Sequence, residues 1–202
     1  MLLRDRLRSH RLRAGVGGLT IGREIIVMEE TGSTNDIVYQ MACGDWPEGL
    51  VVFAEHQTAA RGQRGNVWEA AAHKGLWFSI LLRPEIDVAE SARLTGWAAN
   101  IIAATIQNEY ALNAIVKPPN DVYVGKYKLA GVLVEMRARP GAPHVAILGI
   151  GINVNQIPSD FSEKLRERAT SLAILRRGRL DRQAFAVALL RNLDRTYPDF
   201  VF

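Results

Sequence analysis

The sequence predicts an α+β fold, a mostly antiparallel mixed sheet packed by helices. Three observations carry that expectation. Short apolar runs of strand length recur along the chain, with 50–55 and 75–82 apolar enough to be buried on both faces. Helical spacing dominates 88–110 and 181–196, and the two kinds of segment do not alternate strictly, as a parallel sheet would require. Finally, 202 residues with 48% hydrophobic and 23% charged side chains can bury the core of a single domain.

Leu2, Leu3 and Leu7 have helical spacing and predict a short helix over 2–13. Residues 24–30 read as a strand, after which Ser33 or Thr34 can cap a helix running to about Ala42. Strands at 50–55 and 75–82 flank a polar, glycine-punctuated stretch without periodicity, 56–74. Leu94, Trp97, Ala98, Ile101, Ile102 and Thr105 recur at helical intervals, which makes 88–110 the longest helix. A short strand at 114–117 is stopped by Pro118-Pro119. Residues 121–136 read as a hairpin turning near Gly125, with 144–155 as its neighbour. Helices are expected at 159–167 and 181–196, the second with Phe185, Leu189, Leu190 and Leu193 as its apolar stripe.

Composition excludes several classes. The net charge is +4, and residues 1–13 alone hold five arginines against one acid, so the rest of the chain is neutral. This makes DNA an unexpected partner, although an arginine-rich end is one way to meet it. A single cysteine, Cys43, excludes a disulfide framework and fits a reducing compartment. No apolar run approaches the ~18 residues of a membrane helix, and arginines interrupt the N-terminus where a secretory signal would be apolar. The expectation is one cytoplasmic domain over 1–202, without a membrane association. The motifs HExxH, GxxxxGK[ST] and GxSxG are absent, and the four histidines have no ligand spacing.

Four segments have chemistry to offer. In the loop 56–67, Arg61 and Arg64 stand beside Gly62 and Gly65, which suits the bidentate capture of a phosphate or carboxylate. The loop is also long enough to be a lid, or it is simply a solvated surface loop. In Lys117-Pro118-Pro119-Asn120-Asp121, the stiff prolines present Asn120 and Asp121 in a fixed pose, useful for a ribose, a phosphate-bound Mg²⁺ or a turn. Strand alternation places Lys128 on one face with Ala130 and Val132, toward the core side, where an ammonium needs an anion. A surface hairpin lysine is the plainer alternative. Gly149 and Gly151 alternate in a strand, leaving room for a ligand or marking a bulge.

In order, these segments resemble the catalytic domain of the biotin protein ligase family. The matching pieces are Thr31-Gly32-Ser33-Thr34-Asn35, Gln57, Arg61-Gly62-x-Arg64-Gly65-x-x-Trp68 and Gly75-Leu76-Trp77-Phe78-Ser79. They continue with Lys117-x-Pro119-Asn120-Asp121, Lys128-Leu129-Ala130-Gly131-Val132-Leu133-Val134-Glu135 and Gly149-Ile150-Gly151-Ile152-Asn153-Val154-Asn155. The resemblance spans roughly 24–200. Departures are Ala60 for a glycine, Gln63 and Asn66 for arginines, and Pro118 for a tryptophan.

The resemblance implies a class II synthetase-like fold and a two-step ligase reaction. Biotin and ATP, with Mg²⁺, give biotinyl-5′-AMP, and a lysine of a biotin carboxyl carrier domain of the acetyl-CoA carboxylase type then takes the biotin. Lys128 and Arg61 are the implied catalytic residues. Ser33, Thr34, Gln57, Arg61, Lys128, Gly131 and Gly149 would meet biotin. Arg64, Trp68, Asn120 and Asn153 would meet the nucleotide, and Asp121 the metal. Gln63 lacks the charge of the arginine it replaces, which predicts a looser hold on the adenylate. The resemblance further implies no N-terminal helix-turn-helix domain and no C-terminal β-barrel in this chain, and it leaves a homodimer open. Lipoate or octanoate ligation, or a catalytically weakened adenylate-binding scaffold, are the alternative functions.

Overall fold

In the computed structural model, residues 5–17, 20–138 and 144–201 are described. Their order is α1 (Ser9–Val16), β1 (Ile25–Thr31), α2 (Thr34–Ala42), β2 (Val51–Gln57), β3 (Leu76–Leu82) and α3 (Ser91–Tyr110). There follow β4 (Ala114–Lys117), β5 (Asp121–Val124), β6 (Tyr127–Arg137), β7 (Val145–Ile152), α4 (Glu163–Arg166), α5 (Leu172–Arg176) and α6 (Arg182–Val201). The strands form one seven-stranded sheet among the described residues, in the order β1-β2-β3-β7-β6-β5-β4. Only β1 and β2 pair in parallel; every other pair is antiparallel. The α+β expectation therefore holds, with α2 as the crossover of the single parallel pair.

Alternation within the strands divides the core. Val51 and Phe53 of β2 point to the larger cluster under α1, α3 and α6, while Val52 joins Val38 and Ala42 of α2 on the opposite face. That second face is apolar at one end only. At its other end β3 and β7 carry Ser79, Gly149 and Gly151, and there the site forms. No described helix is long and apolar enough to cross a membrane.

Several element boundaries differ from the sequence reading. The first helix is not 2–13 but Ser9–Val16; Leu2 and Leu3 lie outside the described residues. The backbone N–H groups of Leu7 and Arg8 donate instead to Glu55 (2.7 Å) and Gln183 (3.0 Å), which keeps that stretch out of the helix. The expected helix at 159–167 shrinks to the single turn α4. Just beyond it the chain is spent on β6: Lys128 N–H donates to Arg168 O at 2.7 Å, and Thr170 N–H to Lys128 O at 2.9 Å. In the longest helix, residues 88–90 are a 3₁₀ turn and the α-helix begins at Ser91. The last helix outruns its predicted end at 196 and continues through Pro198 to Val201, where Trp97 packs against Tyr197 and Phe200. Tertiary packing outweighs the one backbone hydrogen bond that proline removes.

Candidate active site

Glycines define the floor of the site. Gly131 of β6 pairs with Gly151 of β7, and Gly149 pairs with Ser79 of β3. A Cβ at Gly131 or Gly151 would stand 2.9 or 2.8 Å from the Trp68 indole, so that ring lies directly on the sheet. A Cβ at Gly149 would stand 2.3 Å from Asn35 Oδ1. The room directly above Gly149 is thus occupied by the Asn35 amide, while the glycine itself still lines the cavity.

Lys128 reaches this floor for a reason the sequence hid. The register between β5 and β6 shifts at Val122/Tyr123, a β-bulge that leaves Leu129 as the extra residue. Leu129 and Ala130 are both in the core as a result. The expectation that Lys128 shares a face with Ala130 and Val132 is therefore corrected: it shares one with Gly131, whose Cβ position is 3.5 Å from Lys128 Cε. Lys128 Nζ is 2.6 Å from Asp121 Oδ1 and 5.2 Å from the Trp68 ring centroid. Lys117 and Lys126 lie over the rings of Tyr123 and Tyr127 instead.

The opposite wall is the start of α2. Its N-cap is Ser33, which with Thr34 and Asn35 is buried. Thr34 N–H donates to Gln57 Oε1 at 2.7 Å, which fixes the amide with its NH₂ free of hydrogen bonds among the described residues. Ser79 Oγ donates to Asn35 Oδ1 (2.5 Å) and accepts from Thr34 Oγ1 (2.7 Å). Asn35 Nδ2 donates to Glu135 at 2.6 Å. One oriented hydrogen-bonded row thus runs from Thr34 to Glu135. Asn35 and Glu135 each close one of the matching motifs, yet neither received a role from the sequence, because the contact joins positions 100 residues apart.

Over this wall comes the loop 58–75. Arg61 donates to both oxygens of Asp36 at 2.7 and 2.8 Å and lies 3.5 Å from Glu135. The guanidinium holds the Asp36 carboxyl below its ordinary value, chiefly through the hydrogen bond, while burial works against it. The left-handed residues are Arg64 (φ 57°), Gly65 (φ 77°) and His73 (φ 59°), whereas Gly62 is extended at −106°. An arginine in that region costs about 1–2 kcal/mol. Gln63 lines the cavity, and its side chain makes no hydrogen bond among the described residues.

The cavity, open on one side, measures about 210 Å³. Of the expected residues, Ser33, Thr34, Gln57, Arg61, Arg64, Trp68, Asn120, Asp121, Lys128, Gly131 and Gly149 line it. Asn153 does not; it is buried behind the floor, where its Oδ1 accepts from Gln156 at 2.8 Å. Asn120 is partly committed to structure, since its Nδ2 donates to Val132 O at 2.9 Å. Trp68 Nε1 is buried against Gly151 without a hydrogen-bond partner among the described residues. A planar apolar floor, an aromatic ring and two separated cations suit a flat ligand with an anionic end. Asp121 Oδ1 is buried and faces the Lys128 ammonium, and among the described residues no group of three His, Cys, Asp or Glu side chains comes together.

The family model for the biotin/lipoate A/B protein ligase family matches residues 27–153. The chain is 33% identical to the bifunctional ligase/repressor BirA of Bacillus subtilis over 97% of its own length and 60% of that protein's. It is 37% identical to the biotin–[acetyl-CoA-carboxylase] ligase of Mycobacterium tuberculosis, covering 95% of this chain and 72% of that one. A solved structure of biotin protein ligase from Aquifex aeolicus, in complex with biotin and ATP, shares the fold at a TM-score of 0.76 and 28% identity. That similarity covers 89% of this chain and 72% of the other. The glycine floor, the arginine loop and the lysine–aspartate pair all fall within or beside the matched span, and the chain belongs to the biotin/lipoate A/B protein ligase family.

Proposed function

We propose that this chain carries the catalytic site of a biotin protein ligase. It would activate biotin with ATP and pass it to one lysine of a biotin carboxyl carrier domain. The observation that carries the proposal is the pair of cations, Lys128 and Arg61, set on opposite sides of the glycine floor. In the first step a biotin carboxylate oxygen attacks the α-phosphorus of ATP; the new O–P bond forms as the bond to pyrophosphate breaks. Two anions must approach, and preorganised positive charge lowers that barrier. Lys128 is held for this by Asp121 at its ammonium and by residues 168 and 170 at its backbone. Mg²⁺ bound at Asp121 would add charge neutralisation on the phosphates. The free NH₂ of Gln57 would donate to the ureido carbonyl of biotin, and Trp68 would stack near the adenine of ATP. In the second step the carrier's neutral lysine amine attacks the acyl carbon and AMP leaves. The loop 58–75 would shield the mixed anhydride from water until then.

The test is incubation with biotin, Mg-ATP and a carrier domain, followed by intact mass. One biotin on one lysine is expected; no mass gain with biotin, or a gain only with lipoate, overturns the proposal.

A further inference from the structure

Arg61 stands at the mouth of the cavity, yet its guanidinium is engaged from the side. The terminal edge, Nη1 and Nη2, is taken by Asp36, and Nη2 also reaches Glu135 at 3.5 Å; Nε–H and the second Nη1–H, on opposite flanks of the guanidinium, have no partner among the described residues. Asp36 sits in the first turn of α2, directly after Thr34 and Asn35, which form the cavity wall. The pair is 39% and 52% exposed, so it adds little to stability. Its geometry is the more informative property: a bidentate fork fixes both the distance and the plane of the guanidinium.

We infer that Asp36 is a positioning residue for Arg61. It fixes the position and plane of the guanidinium so that its charge and a remaining N–H can meet an anionic ligand, a carboxylate or phosphate, and it ties the loop 58–75 to the same helix end that meets that ligand. The inference rests on the proposed ligase reading and deepens it. Immobilising a free arginine on binding costs roughly 2- to 12-fold in affinity, and the clamp meets that cost in the fold. The opposing effect is electrostatic. Asp36 and Glu135 together leave the arginine surrounded by net negative charge, which would repel an anion. A positioning role requires the first effect to exceed the second.

The experiment compares the wild type with Asp36→Asn, Asp36→Glu, Arg61→Ala and the double variant Asp36→Asn/Arg61→Ala. Biotin is titrated by calorimetry, and biotin-dependent ATP–pyrophosphate exchange supplies KM and kcat. Asp36→Asn should weaken biotin roughly 2- to 12-fold and raise KM more than it lowers kcat. Asp36→Glu should recover part of the loss, and Asp36→Asn should add nothing once Arg61 is alanine. Unchanged or tighter binding in Asp36→Asn overturns the inference, as does an equal loss in the Arg61→Ala background. If Asp36→Asn fails to fold, the same cycle is run with Asp36→Glu and Arg61→Lys. Limited trypsinolysis separates this inference from the ligase reading. Cleavage after Arg61 should be several-fold faster in Asp36→Asn without any ligand, and equal rates overturn the clamp. A wild type that neither binds biotin nor catalyses exchange overturns the ligase reading instead, and the trypsin result still decides the clamp.

Discussion

Lys128 and Gly149 show how a single position acquires its meaning from what lies across the sheet. Lys128 is half-buried beside Asp121, with its backbone bonded on both sides. Lys128→Ala removes the charge nearest the floor and leaves that framework intact. Adenylate formation should fall by about 10²-fold or more while the melting temperature stays close to that of the wild type. Biotin-dependent pyrophosphate exchange is the measurement, and a normal rate would return suspicion to Lys117 or Lys126. Gly149→Ala should behave oppositely. The new methyl would meet an Asn35 amide that is held at one end by Ser79 and at the other by Glu135, so neither side can move away. A loss of roughly 1–3 kcal/mol in urea unfolding is expected. Asn35→Ala in the same chain should relieve it in part, because the clash then has no partner.

Among the elements, the loop 58–75 departs furthest from its sequence description. Two nearby arginines and no apolar anchor between Ala60 and Val67 suggest an empty-state loop driven open by repulsion. In the structure Asp36 neutralises Arg61, Arg61 bridges Val67, and Gly62 N–H donates to Asn66 O at 2.7 Å. The charge left without a carboxylate is Arg64, at the exposed and left-handed tip. Trypsin acting on the ligand-free protein should therefore cut after Arg64 faster than after Arg61. Biotin with ATP should protect the Arg64 site, because a bound phosphate would engage it. Equal cleavage at Arg64 with and without both ligands would remove the lid reading.

The whole molecule is stapled by a charge cluster that does not line the cavity. Arg182 of α6 is fully buried, 2.8 Å from Glu55 of β2 and 2.9 Å from the Gly75 carbonyl, with Asp5 at 3.3 Å. It joins the N-terminal segment, the last helix and both ends of the 58–75 connection. Arg182→Ala would strand Glu55 as a buried, uncompensated charge, so a loss of about 3–5 kcal/mol is expected in denaturant unfolding. Alkaline pH should also loosen the fold. Burial pushes Tyr110 up to about 12, and Tyr197 is raised as well, by burial and by its hydrogen bond to Glu48. The unfolded chain then releases these protons near pH 10, before the folded one does, so stability falls as pH rises from 10 toward 12. Thermal melts at pH 9, 10.5 and 12 should show this fall, and Tyr197→Phe should make it shallower. A melting temperature flat across that range would contradict it.

The fold class, the positions of all the described strands and eleven of the residues that line the cavity were legible in the sequence. Strand alternation, helical spacing and the glycine-punctuated motifs are local signals, readable over a few residues. What only the tertiary structure decided is non-local. The β-bulge that turns Lys128 toward Gly131 depends on β5 pairing with β6. The isolated bridge between Lys128 and Ala169 takes up the chain just past the shortened helix α4. The retreat of Asn153 behind the floor, the filling of the Gly149 gap by Asn35 and the capture of Arg61 by Asp36 all join side chains distant in the chain. Sequence periodicity gives the face on which a residue starts. Cross-strand register and the hydrogen bonds of distant partners decide which face it keeps and what it touches.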